Sequence, residues 1–214
     1  MRASVPFIPD QRIESQAAAL LARYNRRAGQ IEMPVPIERV VEDVLGLNIV
    51  WDSIQGAGPA VLAGLEPVKR LVKFNDAARN FVEDTPGLYE TILGHEAGHW
   101  VLHANQGSEF QERLRGLEGG HLCNYREVAA EHGFAEVQAH KFMGYVLLPT
   151  ELLTPLVREK DLLTWSEVYG LRDACRVTIS ALVRRLERLN LLYVDDNGRL
   201  HRSRAEAEGQ GVLF

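Results

Sequence analysis

Apolar residues in the first part of the chain recur at intervals of three and four. Ile13, Ala17, Leu20, Leu21 and Tyr24 form one stripe between residues 13 and 26, as an amphipathic helix with one buried face requires. Pro36 opens a second helical run over residues 37–45 and Gly46 closes it, because proline suits a helix start and glycine its exit. The pattern then shortens to that of strands. Leu47-Asn48-Ile49-Val50-Trp51 predicts one strand, and residues 60–65 and 70–74 predict two more, joined as a hairpin through Glu66-Pro67-Val68-Lys69. After a polar loop around Asp84, Thr85, Pro86 and Gly87, helical spacing resumes over residues 88–103 through Ile92, His95, His99 and Leu102.

Residues 104–126 are rich in Gly, Gln, Glu and Arg and carry no periodicity, which predicts a surface excursion. The next helix begins near Glu127 or Phe134, runs to Leu148 and stops at Pro149, which cannot continue it. Two further helices are expected around residues 165–175 and 180–190. Short strand-like runs then flank Asp195-Asp196-Asn197-Gly198, and the Asn-Gly pair is a strong hairpin signal. Helix, turn at Arg176-Val177-Thr178, helix and hairpin is the order of a winged helix-turn-helix, with Thr178 as N-cap of its second helix. The fold class expected is α+β.

Composition narrows the function classes. The 214 residues, 46% hydrophobic and 25% charged, are enough to bury a core without staples. A net charge of -5 lacks the basic excess of a dedicated nucleic-acid binder. Cys123 and Cys175 form no metal-type pair and suit a reducing compartment. No apolar run is long enough for a signal peptide's central region or a membrane span, so the sequence predicts a cytoplasmic protein with no membrane partner.

The chemistry concentrates in His95-Glu96-Ala97-Gly98-His99. A four-residue separation places both imidazoles on one helix face, one turn apart, where they can converge on a single metal. Glu96 is offset by about 100 degrees, so it can act as general base beside a zinc ion without ligating it. Ile92, Leu93, Trp100, Val101 and Leu102 make the helix apolar enough to be interior, and buried imidazoles beside a carboxylate call for a compensating cation. A catalytic zinc takes three protein ligands and leaves a position for water. Glu136 and His140, four apart on the later helix, are both candidates for the third ligand, with His132 a further turn upstream, and spacing does not separate them. His121, His132 and His201 read as surface residues.

His95-Glu96-Ala97-Gly98-His99-Trp100-Val101-Leu102-His103, then Glu136-Val137-Gln138-Ala139-His140-Lys141-Phe142, then Leu147-Leu148-Pro149, resembles the ImmA/IrrE metallopeptidases. That family's pattern runs H-E-L-G-H-x-x-L-H, E-x-Q/E-A-N-x-F-A and L-L-M-P. The resemblance covers nearly the whole chain and is strongest over residues 94–149. It implies a gluzincin-type site with His95, His99 and Glu136 as zinc ligands and Glu96 as the catalytic base. His140 stands where the family usually has Asn or Asp; His103, His140 and Tyr145 are left as groups that orient a ligand or face the substrate. The implied organisation is a zinc metallopeptidase domain over residues 1–155, a helix-turn-helix-like domain over 156–203 and a flexible tail over 204–214.

The implied activity is a cut in a helix-turn-helix transcriptional repressor, relieving repression after stress. In related gluzincins the substrate adds as a strand to a sheet edge, and residues 70–74 are the strand expected to receive it. Arg172, Arg176, Arg184, Arg185 and Arg188 give the C-terminal unit some basic character, diluted by Asp173, Glu187, Asp195 and Asp196. DNA is therefore the less favoured partner, and bracing the peptidase or helping to recognise a protein substrate the favoured role. The alternative function is a non-enzymatic regulator or toxin-module component with a structural metal site, which His140 or His103 would close as fourth ligand.

Overall fold

The structure, a computed structural model, describes residues 6–54, 60–104, 121–124 and 133–209. Helix α1, Asp10–Ala28, buries Ile13, Ala17, Leu20, Leu21 and Tyr24, the stripe read from the sequence. Helix α2, Ile37–Arg39, widens into a π-helical stretch, Val40–Leu45, that ends on left-handed Gly46. Strands β1, Asn48–Asp52, β2, Val61–Glu66, and β3, Leu71–Asn75, follow. A short helix α3, Arg79–Asp84, occupies ground that the sequence reading left as approach to a loop. Helix α4, Leu88–His99, continues as a π-helical stretch, Trp100–Ala104, and β4 is His121–Asn124.

Helix α5, Gly133–Leu147, ends before Pro149 as expected, and Pro149 becomes the N-cap of α6, Thr150–Arg158. Helices α7, Trp165–Cys175, and α8, Ile179–Arg188, with hairpin strands β5, Tyr193–Val194, and β6, Leu200–His201, complete an α+β fold. Thr178 caps α8 by accepting a hydrogen bond from the Ala181 amide. A last turn of helix, α9 (Arg204–Ala207), is capped by Ser203 where the sequence reading expected only a tail. Among the described residues no helix is long and apolar enough to cross a membrane.

The four-stranded sheet has the order β1-β3-β2-β4. The hairpin expectation holds, since β2 and β3 pair antiparallel, with Ala63 opposite Phe74 and Glu66 opposite Leu71. The edge-strand expectation does not. Strand β3 pairs with β2 on one side and lies parallel to β1 on the other, so its backbone groups are spent and it cannot accept an added strand. The sheet ends instead on β1 and on β4, the latter inside the stretch where the sequence showed no pattern. The signal was missed because β4 has four residues, too short for alternation to register.

An aromatic stack fixes α4 on the sheet. Trp51 of β1 and Phe74 of β3 have ring centroids 4.8 Å apart, and Phe74 and Tyr89 of α4 have theirs 4.9 Å apart. One cluster of buried apolar side chains runs from Ile13 and Leu20 through Phe74, Leu93 and Phe142 to Leu171, Leu182 and Leu192. The C-terminal helices thus share their core with the helices that carry the histidines.

Candidate metal centre

Helices α4 and α5 pack with almost no side chain between their backbones. A Cβ on Gly98 would lie 2.9 Å from the Ala139 carbonyl oxygen and 3.0 Å from its Cα; one on Gly94 would meet Leu147 Cδ1 at 2.9 Å. Two glycines one turn apart therefore set how near α5 comes, and with it how near Glu136 comes to the histidines. The spacing Gly94-x-x-x-Gly98 was legible in the sequence as a small-residue seam, but the reading attached no role to it.

Three groups converge at this seam. His95 Nε2 lies 3.0 Å from His99 Nε2 and 3.1 Å from Glu136 Oε2, and His99 Nε2 lies 3.2 Å from Glu136 Oε1. One ligand atom from each falls within 4.8 Å of the others. Donor atoms about 2.0–2.2 Å from a tetrahedral ion sit roughly 3.3 Å apart, close to these separations. Two imidazole nitrogens and a carboxylate can all turn lone pairs toward one point. His95, His99 and Glu136 could hold a metal ion.

Burial sharpens the electrostatics. His95, Glu96 and His99 are each 2% exposed or less. Burial, and next the charge of Glu136, hold the Glu96 carboxyl well above the usual carboxylate range. Among the described residues Glu96 Oε2 and His95 Nδ1 have no hydrogen-bond partner. A buried polar atom left in that state costs about 1–3 kcal/mol, and it is tolerated where it has work to do. A cation on His95, His99 and Glu136 would offset the Glu136 charge that bears on the buried Glu96 carboxyl, so the residues present fit one.

The remaining candidates separate. His103 is buried; its Nδ1 lies 3.3 Å from His99 Nδ1 and its Nε2 lies 2.9 Å from Gln138 Oε1. It touches His99 on the side away from the cluster, and both its nitrogens have partners there. His140 places its ring centroid 4.4 Å from that of His95, and burial first, then the His95 charge, brings its pKa down to about 3. It is a neutral ring beside the site. Tyr145 instead lies under the Arg185 guanidinium, 4.7 Å from its ring centroid, and lines a cavity of about 340 Å³ that none of the three metal-directed residues borders. His201 pairs with Asp195 in the hairpin, 3.1 Å apart. His132 lies outside the described residues. Gln138, present in the motif but given no role, proves to be the group that holds His103.

The C-terminal unit grips α4 and α5 at opposite ends. Gly87, the left-handed N-cap of α4, abuts the backbone of Val177 so closely that a Cβ would fall 2.2 Å from its carbonyl carbon. The Thr178 amide donates to Thr91 Oγ1, which donates to the Gly87 carbonyl, and Arg176 pairs with Glu90 at 2.6 Å. At the far end, Arg185, 4% exposed, donates from Nε to the Leu148 carbonyl at the exit of α5 and from Nη2 to Thr150 Oγ1. A cation there suits the orphan carbonyls and negative end of a helix. Arg172 pairs with Asp173, while Arg184 and Arg188 are exposed. Burial pushes the Cys175 thiol up to about 12, as for a packing cysteine.

No family model matches the sequence, and no curated protein matches it. Among solved structures, a Mycobacterium tuberculosis transcriptional regulator is similar in fold, with a TM-score of 0.51 at 12% identity over 90% of this chain. The chain spans 59% of that regulator's length. At this identity the likeness concerns the fold alone.

Proposed function

We propose that the chain is a zinc-dependent endopeptidase that makes a site-specific cut in a protein substrate, of which a helix-turn-helix repressor is the best candidate. The observation that carries the reading is the convergence of His95, His99 and Glu136 with a buried Glu96 carboxyl beside them. The resemblance of the two motifs to the ImmA/IrrE metallopeptidases supports it and supplies the substrate class.

Zinc bound there would supply a Lewis acid for the scissile carbonyl and bring the pKa of a water down to about 7. The residues do the rest. Glu96, one position along the helix from His95, takes a proton in its ionised form and returns it to the leaving amine. His140, held neutral, offers a ring beside the cluster that can hydrogen-bond the developing oxyanion without competing as a cation. The apolar wall from α4 and α5 limits water around the proton transfer.

The second reading, a non-enzymatic regulator with a structural metal, draws on the helix-turn-helix-like unit and on the neighbour titled a transcriptional regulator. Two observations weigh against it. Arg176 and Arg185 are turned onto Glu90 and the exit of α5 and not toward a phosphate backbone. His103, a fourth ligand in that reading, has both nitrogens on His99 and Gln138.

Incubating the zinc-loaded protein with repressors encoded near its gene, and separately with casein, followed by mass mapping of products, tests the reading. One cut in one repressor, in an accessible linker, is expected, with casein intact. Broad casein digestion with every repressor intact would refute the regulatory substrate; no cleavage of anything would favour the second reading.

A further inference from the structure

Helix α8 carries two arginines that the clamp does not use. Arg184 and Arg188 lie one turn apart on it, both exposed, and neither has a hydrogen bond or ion pair among the described residues. Glu187 is the one carboxylate on α8, three residues after Arg184, where a helical ion pair could form. Its Oε1 instead accepts from the Val194 amide of the hairpin at 3.3 Å. The fold thus commits that carboxylate to the hairpin and leaves both guanidiniums open.

The place of the pair follows from how α8 is seated. Arg185, between them in sequence, donates to the Leu148 carbonyl at 2.9 Å and stacks over Tyr145, which fixes α8 against the C-terminal half of α5. On α5, His140 and Gly144 are one turn apart on one face, and the Leu148 amide continues the row by donating to the Gly144 carbonyl. A Cβ on Gly144 would meet nothing within 4 Å, so this face keeps an open notch between His140 and the seat of α8. At the other end of the notch the His140 ring centroid lies 4.4 Å from that of His95. The charges of Arg184 and Arg188 both bear on the His140 ring.

Charge and spacing decide the ligand. Guanidiniums one turn apart, about 5–6 Å, can close on a single carboxylate, each offering paired N–H donors. Asp173, Asp195 and Asp196 in the same unit, and a net charge of -5, oppose the long anionic track of a nucleic acid but not one acidic side chain. We propose that Arg184 and Arg188 form an anion subsite beside the metal centre, which takes an acidic side chain of the protein substrate and so sets where that substrate is cut. The role in specificity rests on the peptidase reading; the binding of the carboxylate does not.

NMR titration of the full-length protein, zinc-free and zinc-loaded, with the capped peptide Gly-Ser-Ala-Glu-Ala-Ser-Gly and its Gln counterpart tests the subsite. Arginine Nε–Hε resonances locate the contact, with exposed Arg12 and Arg26 of α1 as internal references. The Glu peptide is expected to shift Arg184 and Arg188 selectively and to bind about 3–30-fold more tightly than the Gln peptide. Arg184→Gln with Arg188→Gln should bring that ratio to about one, and Arg184→Glu with Arg188→Glu should make the Lys counterpart the preferred peptide. Equal affinity for the Glu and Gln peptides, equal shifts at Arg12 and Arg26, or a Glu preference that survives the double substitution would overturn the subsite. So would duplex DNA that shifts the same two resonances where the Glu peptide does not. In cleaved repressors an Asp or Glu is expected at one fixed distance from the cut, and its absence would overturn the role in specificity. A protein that cleaves nothing would instead refute the peptidase reading, and the titration would still decide the subsite.

Discussion

The seam between α4 and α5 and the C-terminal unit of α7, α8 and the hairpin both bury charged or polar side chains, with opposite treatment of them. At the seam, Glu96 Oε2 and His95 Nδ1 lie buried with no hydrogen-bond partner among the described residues. In the C-terminal unit, buried Arg185 donates to Leu148 and Thr150 and stacks on Tyr145, and Arg172 Nε, though it has no hydrogen-bond partner among the described residues, lies 2.8 Å from the Asp173 carboxylate that balances its charge. The buried charge of the C-terminal unit is thus balanced within the protein, whereas the buried carboxyl at the seam is left for something else to meet. The first region has the character of a site and the second that of a clamp. The clamp closes on the N-terminus of α4 and the C-terminus of α5.

The largest expected effect lies wholly at the seam. Glu96→Gln keeps the shape and should retain zinc while slowing cleavage by about 10²–10⁴-fold, since only the proton carrier is lost; metal content and turnover measured on the same sample check it. Equal turnover would end the general-base assignment. Glu136→Ala should lose the metal on dialysis, while His140→Ala should keep it, as metal analysis will show. The reverse outcome would make His140 the ligand.

Steric variants test whether clamp and seam are one mechanical unit. Gly87→Ala combines a left-handed φ of 71° with a clash against Val177 backbone, and should cost more than about 2 kcal/mol in denaturant unfolding. Gly98→Ala, pressing on Ala139, should cost about 1–3 kcal/mol and also weaken zinc binding, because α5 carries Glu136 outward. If Gly98→Ala unfolds the protein more readily but leaves zinc affinity untouched, the spacing of the two helices does not govern the site.

The smallest effect separates the hairpin from both. Amides of Arg199 and Asn197 and the His201 ring hydrogen-bond Asp195 and lower its pKa. A folded pKa below the unfolded one means a contribution present above the unfolded value, about 3.8, and lost as pH falls through the folded one. The hairpin amide resonances should therefore loosen only below about pH 4, and Asp195→Asn should show no such step.

Much of this was legible in the chain. The stripe on α1 encodes its own buried face, because helical periodicity is local, whereas α4 is buried on every side from Ile92 to His99; His95, Glu96 and His99 follow from spacing on one helix. Thr178 as an N-cap and the Asn-Gly hairpin are local for the same reason. Residues 70–74 were correctly read as a strand, but their central place in the sheet depends on β1 and β4, and no short-range pattern reports which strands become neighbours. Tyr145 has the chemistry of an oxyanion donor, yet the direction it faces is set by Arg185, forty residues on. Spacing left Glu136 and His140 equal, and only the approach of α5, permitted by Gly94 and Gly98, brings the Glu136 carboxylate within 3.2 Å of both imidazoles. What residue types and periods encode is decided within a few turns; which ends, edges and partners meet is decided by packing across the whole core.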